Sequence, residues 1–271
     1  MSTKQHYLVR DLALCFNCNN CHMACKDEHV GNDWLPYTES MQRHNEPWMT
    51  LTQKVRGQAP RIDACYLGVS CMHCEECALV KAYPDLVSRR EDGIVMIDPI
   101  RAKGHKELVA ACPYHTVTWN EELGVAQKCT MCAHILDSGE APGMPRCCHS
   151  CPTESVKHYY ITPEEMEEMV REEGLEVLKP ELGTKPHVFY KNLYRYTTSF
   201  ITGCVIRDED CVENITVTLT GEGVEDSAQT DYFGEFKFDR LRPGTYTIAV
   251  DGKEARTVTI EESLNVGALV I

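Results

Sequence analysis

The sequence predicts an α+β protein in which a cysteine-rich region of short helices and hairpins is followed by an all-β sandwich. Three observations carry this expectation. Of sixteen cysteines, fourteen fall between Cys15 and Cys151, in tight groups. A capped helix begins just past them at Thr162. Beyond residue 200, apolar and polar residues alternate over short runs bounded by Gly and Pro, the period of half-buried strands. The expected domains are residues 1–160, a helix and extended linker arm over 161–199, and the sandwich over 200–271.

A chain of 271 residues is long enough for two or three cores. Its charged fraction of 25% and hydrophobic fraction of 43% are those of a globular protein, and no apolar run is long enough to span a bilayer. The formal charge of −14 excludes a general nucleic-acid binder, which needs basic surface to replace counterions on phosphates. MSTKQHYLVRDLALCFNCNN has neither a twin arginine nor an apolar core before a small-residue cleavage site, so a cytoplasmic protein is expected. Without a secretory signal, cysteines two or three residues apart suit metal ligation better than disulfides.

The first group is Cys15, Cys18, Cys21 and Cys25, in CFNCNNCHMAC. Structural zinc sites usually take two close pairs separated by a longer loop, whereas cysteines at i, i+3 and i+6 wrap three corners of an iron–sulfur cubane. In two-cluster ferredoxins the fourth cysteine of such a run ligates the neighbouring cluster. Cys25 is therefore expected to join Cys129, Cys132 and Cys147, and Cys151, followed by Pro152, to join Cys15, Cys18 and Cys21. A third group, Cys71, Cys74 and Cys77 in CMHCEEC, has no fourth cysteine close behind. Cys112-Pro113 is a fourth ligand without its three, because Ala102, His105 and Leu108 stand at the ferredoxin positions. The same cross-ligation pairs Cys112 with Cys71, Cys74 and Cys77, and one cluster is lost whole. The expected cofactors are three 4Fe-4S clusters on twelve cysteines in a ferredoxin-like region. Cys65, Cys148, Cys204 and Cys211 are left as plain thiols. His22, His73, His134 and His149 lie beside ligands, and His105 is taken as structural.

This arrangement, with REDGIVMIDP, AKGHKEL before ACPY, VAQKCTMCAHILD, MPRC and the linker KPELGTKP followed by YKNLYRY, resembles the iron–sulfur subunits that accompany molybdopterin enzymes of the dimethyl sulfoxide reductase family. More narrowly it is similar to the small subunits of transhydroxylases acting on pyrogallol and phloroglucinol. One departure is visible: those subunits carry the third cysteine of the second motif where this sequence has Leu79, and Cys77 comes two residues early. The resemblance implies an electron-transfer subunit without catalytic residues, paired with a large catalytic subunit that alone carries molybdopterin and acts on phenolic compounds. Alternatives are the conducting subunit of a reductive catechol or pyrogallol dehydroxylase, a self-standing ferredoxin, and an enzyme acting alone or a zinc-binding interaction module.

Local signals complete the expectation. VSRREDGIVMIDP reads as a hairpin turning at Asp92-Gly93, and VTWNEELGVAQ as one turning near Gly124. TPEEMEEMVREEG carries Thr162 as N-cap, Pro163 at the first helical position, Glu165 completing a capping box, and Gly174 as the stop. In DYFGEFKFDRLRPGTYTIAV, Phe236 and Phe238, then Tyr246, Ile248 and Val250, alternate with polar residues. With ITVTLT and ARTVTI they resemble the prealbumin-like repeat of carboxypeptidase regulatory domains.

Overall fold

The computed structural model describes residues 3–44 and 47–271. The protein divides into two compact units, residues 1–52 with 66–193, and residues 53–65 with 194–271. The first opens on strand β1 (Gln5–Asp11), which is buried from His6 to Arg10. Strand alternation puts Tyr7 and Val9 on one face, where they join Met166 and Leu175 in a core cluster. His6, Leu8 and Arg10 take the other. Helix α1 (Asn20–His29) follows, then β2 (Met49–Gln58) and β3 (Arg61–Ser70), which pair as a hairpin. The division between units falls inside this hairpin, whose tip, 53–65, groups with the second unit.

Next come α2 (Ala78–Ala82), β4 (Val87–Arg89), β5 (Val95–Ile97), α3 (Leu108–Ala111), β6 (Thr118–Asn120), β7 (Val125–Gln127), α4 (Ala133–Ser138) and α5 (Arg146–His149). Strands β4 and β5 form the hairpin expected at Asp92-Gly93. Gly93 has φ 89°, and a Cβ there would sit 2.5 Å from the His187 ring, so only glycine fits. Strands β6 and β7 form the second hairpin, closed by the Gly124 N–H donating to the Asn120 carbonyl at 2.9 Å. Helices this short are marginal by themselves in water. Their cysteines pack with apolar side chains instead, as Cys21 and Cys25 do with Met41, Trp48 and Met49.

Strand β8 (Val156–Ile161) pairs antiparallel with β1, α6 (Pro163–Glu173) follows, and β9 (Val188–Lys191) pairs parallel with β1 on its other edge. The capping box is formed: the Glu165 N–H donates to Thr162 Oγ1 at 3.3 Å, and the Thr162 N–H donates to the Glu165 carboxylate at 2.8 Å. Gly174 ends the helix at φ 62°, a conformation glycine adopts without penalty. The residues after it are built into the first unit. Tyr190 is fully buried and its hydroxyl donates to the Gly68 carbonyl at 3.0 Å. A segment remote in sequence thus supplies an edge strand for the amino-terminal one, where a linker arm was expected.

The second unit begins at α7 (Tyr194–Thr197) and continues as β10 (Ser199–Arg207), β11 (Asp210–Cys211), β12 (Thr216–Gly221), β13 (Val224–Gln229), β14 (Glu235–Leu241), β15 (Gly244–Val250), β16 (Lys253–Ile260) and β17 (Leu264–Val270). One sheet runs β11-β10-β14 with β17 on β10, the other β13-β12-β15-β16. Phe236, Phe238, Tyr246, Ile248 and Val250 share one core with Val217 and Leu269, the facing layers of a sandwich. The hairpin tip contributes a buried cation to this unit. Arg56 donates to Asp63 at 2.6 Å and to Asp239 at 2.9 Å, pairing without which burial of its charge would be costly. Among the described residues no helix is long and apolar enough to cross a membrane.

Candidate iron–sulfur sites

Two left-handed residues, Asn17 and Asn19, both at φ 62°, turn the loop that carries Cys15 and Cys18, and asparagine tolerates that conformation. Cys18 is exposed, Cys15 half-buried, and Cys21 buried on α1. Helix α1 packs on α5, and Asn20 donates to the Ser150 carbonyl at 3.4 Å, beside Cys151. The Cys151 sulfur lies 3.4 Å from Ser155 Oγ and 3.7 Å from Thr153 Oγ1. Burial pushes its thiol up, but those hydroxyls and the Val156 and Thr153 N–H groups outweigh burial and leave it below the ordinary value.

Cys25, one turn along α1 from Cys21, lies with Cys129 and Cys147 in the cluster around Met41, Trp48 and Met49. Burial, then the proximity of Cys129, Cys132 and Cys147, pushes its thiol well up. Met131 and Cys132 have φ 54° and 51°, folding the loop so that the Met131 N–H donates to the Cys129 sulfur at 3.3 Å. His29 Nε2 stands 3.9 Å from the Cys132 sulfur, its imidazole held neutral by burial, which takes it down to about 3. Cys148 is also buried. Its thiol, next along the chain, is the largest influence in bringing the Cys147 thiol below its ordinary value.

Cys71, Cys74, Cys77 and Cys112 line a single cavity with Lys128, Thr116 and Thr184. The His73 N–H donates to the Cys71 sulfur at 3.4 Å. Burial pushes the Cys71 thiol up to about 11 and the Cys74 thiol to about 12. Lys128, only 4% exposed, donates to the carbonyls of Val95 and Cys129. Where a further cluster would need ligands, Ala102 and Leu108 are fully buried, and His105 Nδ1 lies 2.8 Å from the Glu107 carboxylate.

Cys71, Cys74, Cys77 and Cys112 thus share one cavity, while Cys21, Cys25, Cys129 and Cys147 share one packed cluster, and the donor chemistry suits iron–sulfur clusters. Thiols predominate, and several buried donors have no protein partner among the described residues: Arg10 Nε and Nη1, Trp48 Nε1 and His73 Nε2. Inorganic sulfide would accept from such groups. Among the described residues no three Cys, His, Asp or Glu side chains converge on a point where a single metal ion would sit. Sequence reasoning passed over Arg10 and Lys128. Each sits in a stretch whose pattern marks it as surface charge, and only the long-range pairing of β1 and the packing around β7 bury them.

A family model for the 4Fe-4S dicluster domain matches residues 62–159, and one for the carboxypeptidase regulatory-like domain matches 201–268. The molecule is therefore an iron–sulfur electron-transfer protein with an appended regulatory-like β domain. It is 51% identical over 264 residues, 96% of each chain, to the pyrogallol hydroxytransferase small subunit of Pelobacter acidigallici. To the thiosulfate reductase electron transfer subunit of Salmonella typhi it is 33% identical, over 62% of this chain and 82% of that one. To one of the chains of anaerobic dimethyl sulfoxide reductase from Escherichia coli it is 30% identical, over 57% and 73%. This protein belongs to the family of electron-transfer beta subunits of molybdoenzymes, alongside the pyrogallol hydroxytransferase small subunit.

Proposed function

We propose that this protein is the electron-carrying subunit of a complex whose larger chain holds molybdopterin and moves a hydroxyl group between phenols of the pyrogallol and phloroglucinol type. Three ligand sets follow: Cys15, Cys18, Cys21 and Cys151; Cys25, Cys129, Cys132 and Cys147; Cys71, Cys74, Cys77 and Cys112. When bound, 4Fe-4S clusters with four thiolates each supply one-electron exchange and leave no iron position open to substrate. The protein's own residues then have three tasks. The cysteines hold, the buried N–H groups and cations set the local field, and Trp48, Met41 and Met49 exclude water around the second set. No side chain of this protein is assigned to catalysis. The observation that carries the reading is the cavity shared by Cys71, Cys74, Cys77 and Cys112, because its fourth thiol comes from a motif that has lost every other ligand.

The test uses the co-purified complex, given pyrogallol and a tetrahydroxybenzene co-substrate without any electron donor. Phloroglucinol formed under those conditions is the expected result. Relatives named as reductases favour a second reading, reductive loss of a phenol hydroxyl, and product that appears only after a reduced dye is added would establish that one instead.

A further inference from the structure

Among the described residues, Arg10 is a cation with no counter-charge. It lies on β1, 3% exposed, and on the face opposite Tyr7 and Val9, so strand alternation turns it away from α6. Its Nη2 donates to Ser70 Oγ at 3.1 Å, while Nε and Nη1 are buried without a partner among the described residues. Arg10 Nη1 and Met49 Cε meet at the same point beside Gly68, and Met49 packs with Cys21 and Cys25, against which Cys129 and Cys147 lie; the Tyr190 hydroxyl is already committed to the Gly68 carbonyl. The surroundings make room for the guanidinium. A Cβ at position 68 would stand 2.9 Å from Arg10 Nη1 and 2.8 Å from Met49 Cε, so Gly68 is the residue that leaves the space. A buried cation is ordinarily paired, because removing a charge from water is costly. Here the candidates for that pairing are cysteines of two different ligand sets.

Resting on the cluster assignment above, we infer that Arg10 is a positioning residue shared by the first and second sets, a fixed positive charge that raises the reduction potentials of both clusters. Each reduction adds one negative charge to a cluster. A neighbouring guanidinium stabilises that added charge more than the oxidised state, and N–H donation to sulfur acts in the same direction. Arg10 cannot discharge in the working range, since guanidinium stays protonated. The stabilisation of the reduced state is therefore permanent.

The test is a potentiometric titration of the whole complex, followed by electron paramagnetic resonance, for the native protein, Arg10→Lys and Arg10→Met. At a fixed potential near each midpoint, Arg10→Met is expected to lower the reduced-to-oxidised ratio of two clusters by about tenfold, a shift of about 59 mV for a one-electron couple. The third cluster should stay in place, and Arg10→Lys should fall between. Iron-replete variants with unshifted potentials, or an equal shift in all three clusters, would overturn the inference. Should Arg10→Met not retain iron, pulsed resonance on complex labelled with nitrogen-15 arginine decides. Coupling of arginine nitrogen to two of the reduced clusters is expected, and its absence refutes the role. Native complex lacking iron and sulfide would end the cluster assignment itself, a separate failure.

Discussion

His73 Nδ1 accepts the Val95 N–H at 3.1 Å, tying the loop between Cys71 and Cys74 to the second strand of a hairpin more than twenty residues away. The bond fixes the tautomer, so the proton sits on Nε2, which is buried with no protein partner. Replacing His73 with leucine removes both the tether and the donor. We expect iron to fall from about twelve to about eight atoms per chain, with the third cluster's resonance lost. Metal analysis against protein concentration checks it.

Crossed ligation predicts unequal damage from two neighbouring cysteines on one helix. Cys21→Ser should degrade the cluster closed by Cys151, and Cys25→Ser the one that includes Cys129, Cys132 and Cys147. Resonance spectra of the two variants distinguish the clusters, and identical spectra would disprove the crossing.

Removing the clusters should affect the two units differently. The first unit buries Cys21 and Cys25 among apolar side chains, whereas the apolar and aromatic cluster of the sandwich contains no cysteine. After chelation under oxidising conditions, limited proteolysis should degrade the first unit and leave the second resistant, residues 53–65 together with 194–271. Mass spectrometry of the digest reads the outcome.

Acid should loosen the second unit through Asp63. Burial raises its carboxyl, but hydrogen bonds from Arg195 and Arg56 win and bring it to about 2 from 3.8. A pKa lowered by folding contributes stability that is present above pH 3.8 and lost as pH falls toward 2. Hydrogen exchange of residues 199–260 should therefore accelerate on acidification over that window, and less so in Asp63→Asn. Equal acceleration in both proteins would count against it.

The capping box gives a local prediction. Thr162→Ala removes the acceptor for the Glu165 N–H and should weaken α6 by about 1 kcal/mol. That corresponds to roughly fivefold faster exchange of its amides.

Much of this was legible in advance wherever the cause is local. Thr162, Pro163, Glu165 and Gly174 act within a few residues of one another, and each turned out to do what its type and position imply. The Asp92-Gly93 turn and the alternation from Phe236 to Val250 have the same character. The β2–β3 hairpin was missed because LTQKVRGQAPRIDACYLG places few apolar residues on one face, and β2 is half-buried or exposed along much of its length. Strand β9 reads as linker because a parallel pairing between Leu8 and Val188 has no short-range signature. Arg10 and Lys128 were hidden for the same reason, since a charge in isolation reads as solvent-facing.

The hairpin that divides between the units also imposes an order of events during synthesis. Residues 53–65 leave the ribosome before the 128 residues from 66 to 193, while the strands that complete their unit come last. At about 5–20 residues per second, Arg56 waits roughly nine to thirty-seven seconds before Asp239 exists to neutralise it. A nascent polypeptide stalled at residue 193 would hold a charged loop with no acceptor beyond Asp63, and a gene fragment ending there would make that condition permanent. The β domain is therefore no detachable appendix, because one of its own segments is encoded inside the cluster-binding half.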